Sequence, residues 1–242
     1  MLYLISLGLN DEKDISIKGL ELVKKSKKVY LENYTSKMQC SKEDLERFYG
    51  KPIIEVNRNF VEKEIKTVFN ESKKEDIAFL VKGDVYSATT HIDIYLRAKK
   101  EKVNIVVIPS TSILTAVGCI GLSLYNFGKT ISIPFSNEKI KSPYDNFLIN
   151  KKNGMHTLFL LDLAPEENKF LTIKQGLEYL KRSGLNENEL VICCARIASP
   201  NQVIKAGKLK EIMNFDFGKP PFCIIVPGKL HFMEEEALDL WK

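Results

Sequence analysis

Residues 76–97 read DIAFLVKGDVYSATTHIDIYLR. The apolar run DIAFLV (76–81) stops at Lys82-Gly83-Asp84. Small and hydroxylated residues follow, and the spacing of Ile92 and Leu96 then predicts a helix with those two on its apolar face. Strand, tight turn and helix form the repeating unit of an α/β fold. Such turns often hold phosphate, because glycine lets the backbone approach a ligand and a helix N-terminus favours anions. Asp84 reverses that preference. Ionised, it repels phosphate and attracts a cation, an ammonium group or hydroxyls. Ser87, Thr89 and Thr90 stand where they can cap the helix, a role that competes with ligand contact.

On either side the pattern repeats. Strand-like runs fall at LYLISL (2–7), KVYLEN (28–33), PIIEV (52–56) and VNIVVIP (103–109), with helical patterns between them. Phe60, Ile65, Val68 and Phe69 make an apolar stripe on a helix near 59–71, and Ser41 with Asp44 has capping-box spacing. This order predicts a largely parallel sheet covered on both faces. The glycine-rich GCIGLSLYNFGK (118–129) loses the helical period and marks a boundary. The expected division is an N-terminal α/β domain, 1–122, and a C-terminal α/β domain, 123–242. The second has strand-like runs TISIPF (130–135), HTLFLLDL (156–163), ELVICCARI (189–197) and PFCIIVP (221–227), and helices near 139–152, 172–183 and 232–241. More of its strands are adjacent in sequence, so its sheet is expected to be mixed.

Composition narrows the classes. The 242 residues are 44% apolar and 28% charged, ordinary for globular domains, and no stretch reaches the roughly 18 apolar residues of a membrane helix. MLYLISLGLN lacks a basic leader and reads as a first strand. Five cysteines without a C-x-x-C pair argue against a disulfide framework or a zinc site, and Cys193 and Cys194 read as small buried side chains of a reducing cytosol. His91, His156 and His231 are too scattered to suggest a metal triad. The net charge of +5 supports a mild preference for an acidic macromolecular partner. No aromatic-plus-arginine stripe of the kind that stacks bases is present, and neither G-x-G-x-x-G nor G-x-x-x-x-G-K-[ST] occurs.

Ligands of open α/β sheets sit beyond the carboxyl ends of the strands. That rule selects SLGLN (6–10), KGDVYSATTH (82–91), PSTSIL (109–114) and DLAPE (162–166). Ser110, Thr111 and Ser112 can cap the helix after the third loop, and Asp162 in the fourth is either exposed or paired. From residues alone, the chain is a two-domain α/β protein with an acid-marked cleft for a small ligand without phosphate.

Longer motifs extend this reading. They are LISLGLNDEKDISIKGLE (4–21), GD-x-x-x-ATTHIDIYLRA (83–98), TAVGCIGLSLYNFGKTISIPF (115–135), NGMHTLFLLDL (153–163), KAG (205–207) and PGKLHFMEEEAL (227–238). With them the chain resembles, essentially end to end, the diphthine synthase family of the tetrapyrrole (precorrin-type) methylase fold. ATTH and NGMHT are specific to that branch, and AVGCIGLSLYNFGKT and NGMHT look like its eukaryotic form more than the archaeal one. The segment between DLAPE and ELVICC is shorter than in many eukaryotic members. The resemblance implies a cytoplasmic homodimer of two-domain subunits, with S-adenosyl-L-methionine in the cleft between the domains. It implies donor contacts at Leu9, Asp84, Ser87, Ser112, Ile113, Leu163, Ala206 and His231, and no metal. Elongation factor 2 is the implied protein substrate, methylated on the amine, and in eukaryotic-type members also the carboxylate, of a 3-amino-3-carboxypropyl-histidine. No general base is evident, although His91 and His156 are worth testing. Two alternatives are another methylase of this fold acting on a tetrapyrrole or an rRNA ribose, and a non-catalytic module that binds RNA or the translation machinery.

Overall fold

The computed structural model describes Met1–Lys242. The β-rich runs of the first half become β1 (Leu2–Ser6), β2 (Lys28–Glu32), β3 (Ile53–Val56), β4 (Ile77–Val81) and β5 (Ile105–Ile108). All pair in parallel, in the order β3-β2-β4-β1-β5. Alternate side chains of a strand face opposite sides. Leu2, Leu4, Phe79 and Val81 therefore join one core with α3 (Lys66–Ser72) and α4 (Ile92–Lys100), whereas Tyr3, Ile5, Ala78 and Leu80 join another with α1 (Ile17–Lys25) and α2 (Lys42–Tyr49). Ser16 caps α1 by accepting from Gly19 N, and Ser41 with Asp44 forms the expected capping box of α2. A π-helical turn, Phe60–Glu64, precedes α3.

Two local expectations fail around the opening stretch. The turn runs on through Ala88, at φ 59°, so α4 begins only at Ile92 and has no side-chain cap. Ser87 Oγ donates to Asp84 instead, and Thr89 Oγ1 to the Val85 carbonyl. The later start also rotates the helix. His91, Ile94 and Ala98 face inward, while Ile92 and Leu96 are 49% and 59% exposed.

The second half forms β6 (Ile131–Ile133), β7 (Thr157–Leu161), β10 (Leu190–Ala195), β11 (Val203–Lys208) and β12 (Phe222–Val226), ordered β11-β10-β12-β7-β6. Only β6 and β7 are parallel, so the sheet is mixed. A short ribbon pairs β8 (Leu163–Ala164) with β9 (Lys169–Phe170). One sheet face packs Phe159, Val191, Cys193 and Ile224 against α6 (Ser142–Lys152), α7 (Ile173–Ser183) and α8 (Leu209–Ile212). Ile192, Cys194, Cys223 and Ile225, on the other face, are also buried. Cys119 is exposed, unlike Cys193 and Cys194 of β10, which are buried free thiols. α9 (Phe232–Asp239) follows the last strand. No helix is long and apolar enough to cross a membrane.

By internal contacts the chain separates into two units, Met1–Thr115 with Ala164–Glu167, and Ala116–Leu163 with Asn168–Lys242. The division falls between Thr115 and Ala116 instead of 122 and 123. The glycine-rich stretch is a packed piece of the second unit, because Trp241 Nε1 donates to the Ile120 carbonyl at 3.0 Å and a Cβ at Gly121 would lie 2.3 Å from that of Ala237.

Candidate functional site

In the first unit, the chain leaves β1 toward α1 on one face of the sheet and leaves β4 toward α4 on the other. β1 and β4 are neighbours, so their carboxyl ends flank a topological switch point, where the two loops diverge and open a crevice. The loops are stitched together at its base. Gly8 N donates to the Gly83 carbonyl at 3.1 Å, and Gly83 N returns a bond to the Gly8 carbonyl at 2.8 Å. Both glycines have φ near +80°, which a side chain resists, and a Cβ on Gly8 would sit 2.5 Å from that of Asp14.

Asp84 lies at this point. Its Oδ1 accepts from Tyr86 N at 3.1 Å and Ser87 Oγ at 3.0 Å, and its Oδ2 from Ser6 Oγ at 3.3 Å and Ser110 N at 3.2 Å. A carboxylate offers about four lone-pair sites, and here protein donors from the ends of β1, β4 and β5 fill them. Burial raises the carboxyl's pKa, but these four bonds outweigh it and hold the group below its ordinary value. The charge stays in place, half-buried, with little capacity left for a direct bond to a ligand.

The other first-unit positions gather on the same edge. Leu9 N and Asn10 N donate to Asp14 Oδ2 at 3.0 and 2.8 Å, so Leu9 offers mainly its side chain. Ser112 Oγ accepts from Leu114 N at 3.2 Å and caps α5 (Ile113–Ala116), whose first residue is Ile113. Leu9, Asp84, Ser87, Ser112 and Ile113 thus share the carboxyl edge of one sheet. Leu163, Ala206 and His231 belong to the second unit. Leu163 follows Asp162, which is paired: it accepts from Phe135 N and Leu163 N. Ala206 N donates to the Trp241 carbonyl at 2.8 Å, and exposed His231 caps α9 by accepting from Met233 N at Nδ1.

The candidate histidines differ. His156 is buried; its Nδ1 accepts from Gly228 N at 3.0 Å and its Nε2 faces Glu234 Oε1 at 3.2 Å. The proton therefore sits on Nε2, and no lone pair is free to take another, so His156 does not fit a general base. Glu234 also accepts from Ser123 N and His231 N, each at 2.9 Å. Burial opposes its charge, yet these donors bring its pKa down to about 2. His91 is 1% exposed, and its Nε2 lies 3.3 Å from Tyr34 OH, while Nδ1 has no hydrogen-bond partner. Burial lowers its pKa against the opposing pull of the Glu32 charge and of the Val85 carbonyl, which is engaged by Thr89.

Sequence reasoning passed over Ser6, Asp14 and Glu32. Glu32, fully buried, accepts from Tyr34 N, Thr35 N, Thr35 Oγ1 and Lys82 N, and so ties the loop after β2 to the Asp84 loop. Its signal was the same as Asp84's, an acid closing an apolar strand. The partner donors are distant in sequence and carry no local mark.

The chain was compared with known proteins. The family model for Tetrapyrrole (Corrin/Porphyrin) Methylases matches residues 1–213. The diphthine methyl ester synthase of Dictyostelium discoideum is 41% identical, over 100% of this chain and 98% of that protein. The diphthine synthase of Methanocaldococcus jannaschii is 42% identical, over 98% and 97%. A diphthine synthase crystal structure superposes with a TM-score of 0.93 at 36% identity, covering 99% of this chain and 95% of that one. With the parallel switch-point sheet and the mixed second sheet, these matches show that the chain belongs to the tetrapyrrole methylase family, in its diphthine synthase branch.

Proposed function

We propose that the chain transfers methyl groups from S-adenosyl-L-methionine to the 3-amino-3-carboxypropyl-histidine of elongation factor 2. The observation that carries this reading is the whole-length match to diphthine synthases at 41–42% identity. The first unit's edge fits such a donor. Apart from Lys82, whose side chain lines a neighbouring cavity, residues 82–91 and 109–114 contain no lysine or arginine to bind phosphate, and the Asp84 charge favours a cationic ligand over a nucleotide. Because the carboxylate's lone pairs are occupied by the protein, Asp84 acts through its field and by fixing three loops. Leu9, Ser87, Ser112 and Ile113 are the proposed contacts here, with Leu163, Ala206 and His231 on the second unit.

The donor supplies an electrophilic methyl on a sulfonium. The protein's task is to hold the acceptor in line with it, and such positioning can supply roughly 7–11 kcal/mol of a barrier. An amine acceptor has to present a free lone pair. His156 cannot take the released proton, and water is the proposed acceptor. The chain is proposed to work in the cytoplasm as a homodimer. Its nearly equal identity to a methyl ester synthase and to an archaeal diphthine synthase favours neither three nor four transfers; from the eukaryotic-like AVGCIGLSLYNFGKT and NGMHT motifs we propose four. The test is labelled methyl transfer onto elongation factor 2 bearing the unmethylated intermediate, with product mass read afterwards. Incorporation with four added methyl groups is expected. No incorporation, with a control enzyme active, would overturn the proposal.

A further inference from the structure

Beside the Asp84 loop, the first unit holds a cavity of about 250 Å³. Its charged lining is Lys37, Lys42 and Lys82 against Glu55 and Glu166, Asn33 is its uncharged polar wall, and the rest is apolar or thiol. Two groups in this wall are left wanting partners. Asn33 Oδ1 is buried without a hydrogen bond. Lys82, half-buried, has no carboxylate within ion-pair distance, whereas Lys42 lies 3.6 Å from Glu46. An unfilled buried acceptor costs free energy, as does an ammonium half-removed from water without a counter-ion. A ligand that brings one N–H donor and one carboxylate satisfies both.

The wall is fixed in place. Glu32 accepts from Lys82 N at 3.1 Å and from Tyr34 N at 3.1 Å, so the residues before and after those bonds, Asn33 and Gly83, are anchored by one buried carboxylate. Asn33 N also donates to the Val56 carbonyl. Lys82 is the residue immediately before Gly83-Asp84, so the cavity and the switch-point loop share a backbone.

We propose that this cavity binds the amino-acid head of the methyl acceptor, with Lys82 holding its carboxylate and Asn33 Oδ1 accepting an amine N–H. This deepens the proposed function and rests on it for the identity of the acceptor, but not for the chemistry of the cavity. A neutral amine that donates one N–H to Asn33 keeps its lone pair available for the methyl group. The Asn33 bond is lost once two methyl groups have replaced both N–H bonds of the neutral amine, while the Lys82 pairing persists until the carboxylate itself is esterified. Lys82 and Asn33 are thus acceptor-binding residues, and the donor does not depend on them.

Two measurements test this on the full chain. In the first, L-2-aminobutyrate, which has the same amino-acid head, is titrated and followed by NMR. Shifts centred on the Asn33 side-chain amide and on Lys82 are expected, and K82Q should abolish them. No shift at these residues at tens of millimolar, about the limit for so small a probe, overturns the assignment. In the second, K82Q is expected to raise KM for the protein acceptor about tenfold or more with S-adenosylhomocysteine affinity unchanged, the loss expected for one charge-assisted bond. N33A should slow the early transfers more than the last. An unchanged KM in folded K82Q overturns the proposal. Probe binding without any methyl transfer by the wild type would leave the cavity's assignment intact and refute the proposed function instead.

Discussion

Asp84 in the first unit and Glu234 in the second are built on one plan and placed for different ends. Each carboxylate is filled by donors from segments far apart in sequence, and each is held below its ordinary pKa against burial. Glu234 is 3% exposed and accepts a hydrogen bond from a buried histidine, so its field ends inside the unit. Asp84 is half-buried at the mouth of a switch-point crevice, so its field reaches whatever enters. The same local chemistry fastens a fold in one place and, under the proposed function, selects a ligand in the other. What distinguishes them is topology, since only strand ends that send their chains to opposite faces leave a crevice.

The largest effect should come from the buried member. Glu234→Ala leaves Ser123 N, His231 N and His156 Nε2 without their acceptor, and thermal or denaturant unfolding should register a loss of about 3–5 kcal/mol. Its pH signature has a definite sign. Because the folded pKa is depressed from 4.5 to about 2, the stabilisation is complete above pH 4.5 and is lost as pH falls toward 2. It amounts to about 3 kcal/mol. Glu234→Gln should flatten that dependence; an unaltered acid profile would show that the charge is not what holds this corner.

The exposed member should matter less to stability and more to ligand. Asp84→Asn places an amide among donors and removes the field, and calorimetry with S-adenosylhomocysteine should show binding weakened by about 1–3 kcal/mol. Ser6→Ala sharpens the contrast. Ser6 is fully buried, donates to Asp84 and accepts from Val85 N at 3.0 Å. If Asp84 works by fixing loops, this substitution should cost about 1 kcal/mol of donor affinity, a typical hydrogen-bond increment. Wild-type affinity in Ser6→Ala beside a large loss in Asp84→Asn would return the carboxylate to direct contact. The smallest signal is spectroscopic: nitrogen NMR should find His156 as the Nε2–H tautomer, and an Nδ1–H form would reverse its hydrogen-bond roles.

Much of the first unit was legible because parallel strands buried on both faces are written as continuous apolar runs, as in IAFLV of β4. β11 was not. VIKAGK is largely half-buried at a sheet edge, and its composition carries no strand signal. GCIGLS read as a domain boundary for want of periodicity, although its Gly121 serves close packing against α9. The α4 stripe was misplaced because one left-handed residue, Ala88, moved the helix start and turned Ile92 and Leu96 outward. At the site, the acid at 84 announced itself, but its saturation did not. Ser6 and Ser110 stand 78 and 26 residues away, and only folding brings them to it.

A crystal structure with S-adenosylhomocysteine bound tests the central claim most directly. The ligand is expected against Leu9, Gly83 and Ser112 at the carboxyl ends of β1, β4 and β5, with Asp84 keeping its bonds to Ser6, Tyr86, Ser87 and Ser110. A ligand lodged away from that edge, or Asp84 swung free of its four donors to grip it, would contradict the account.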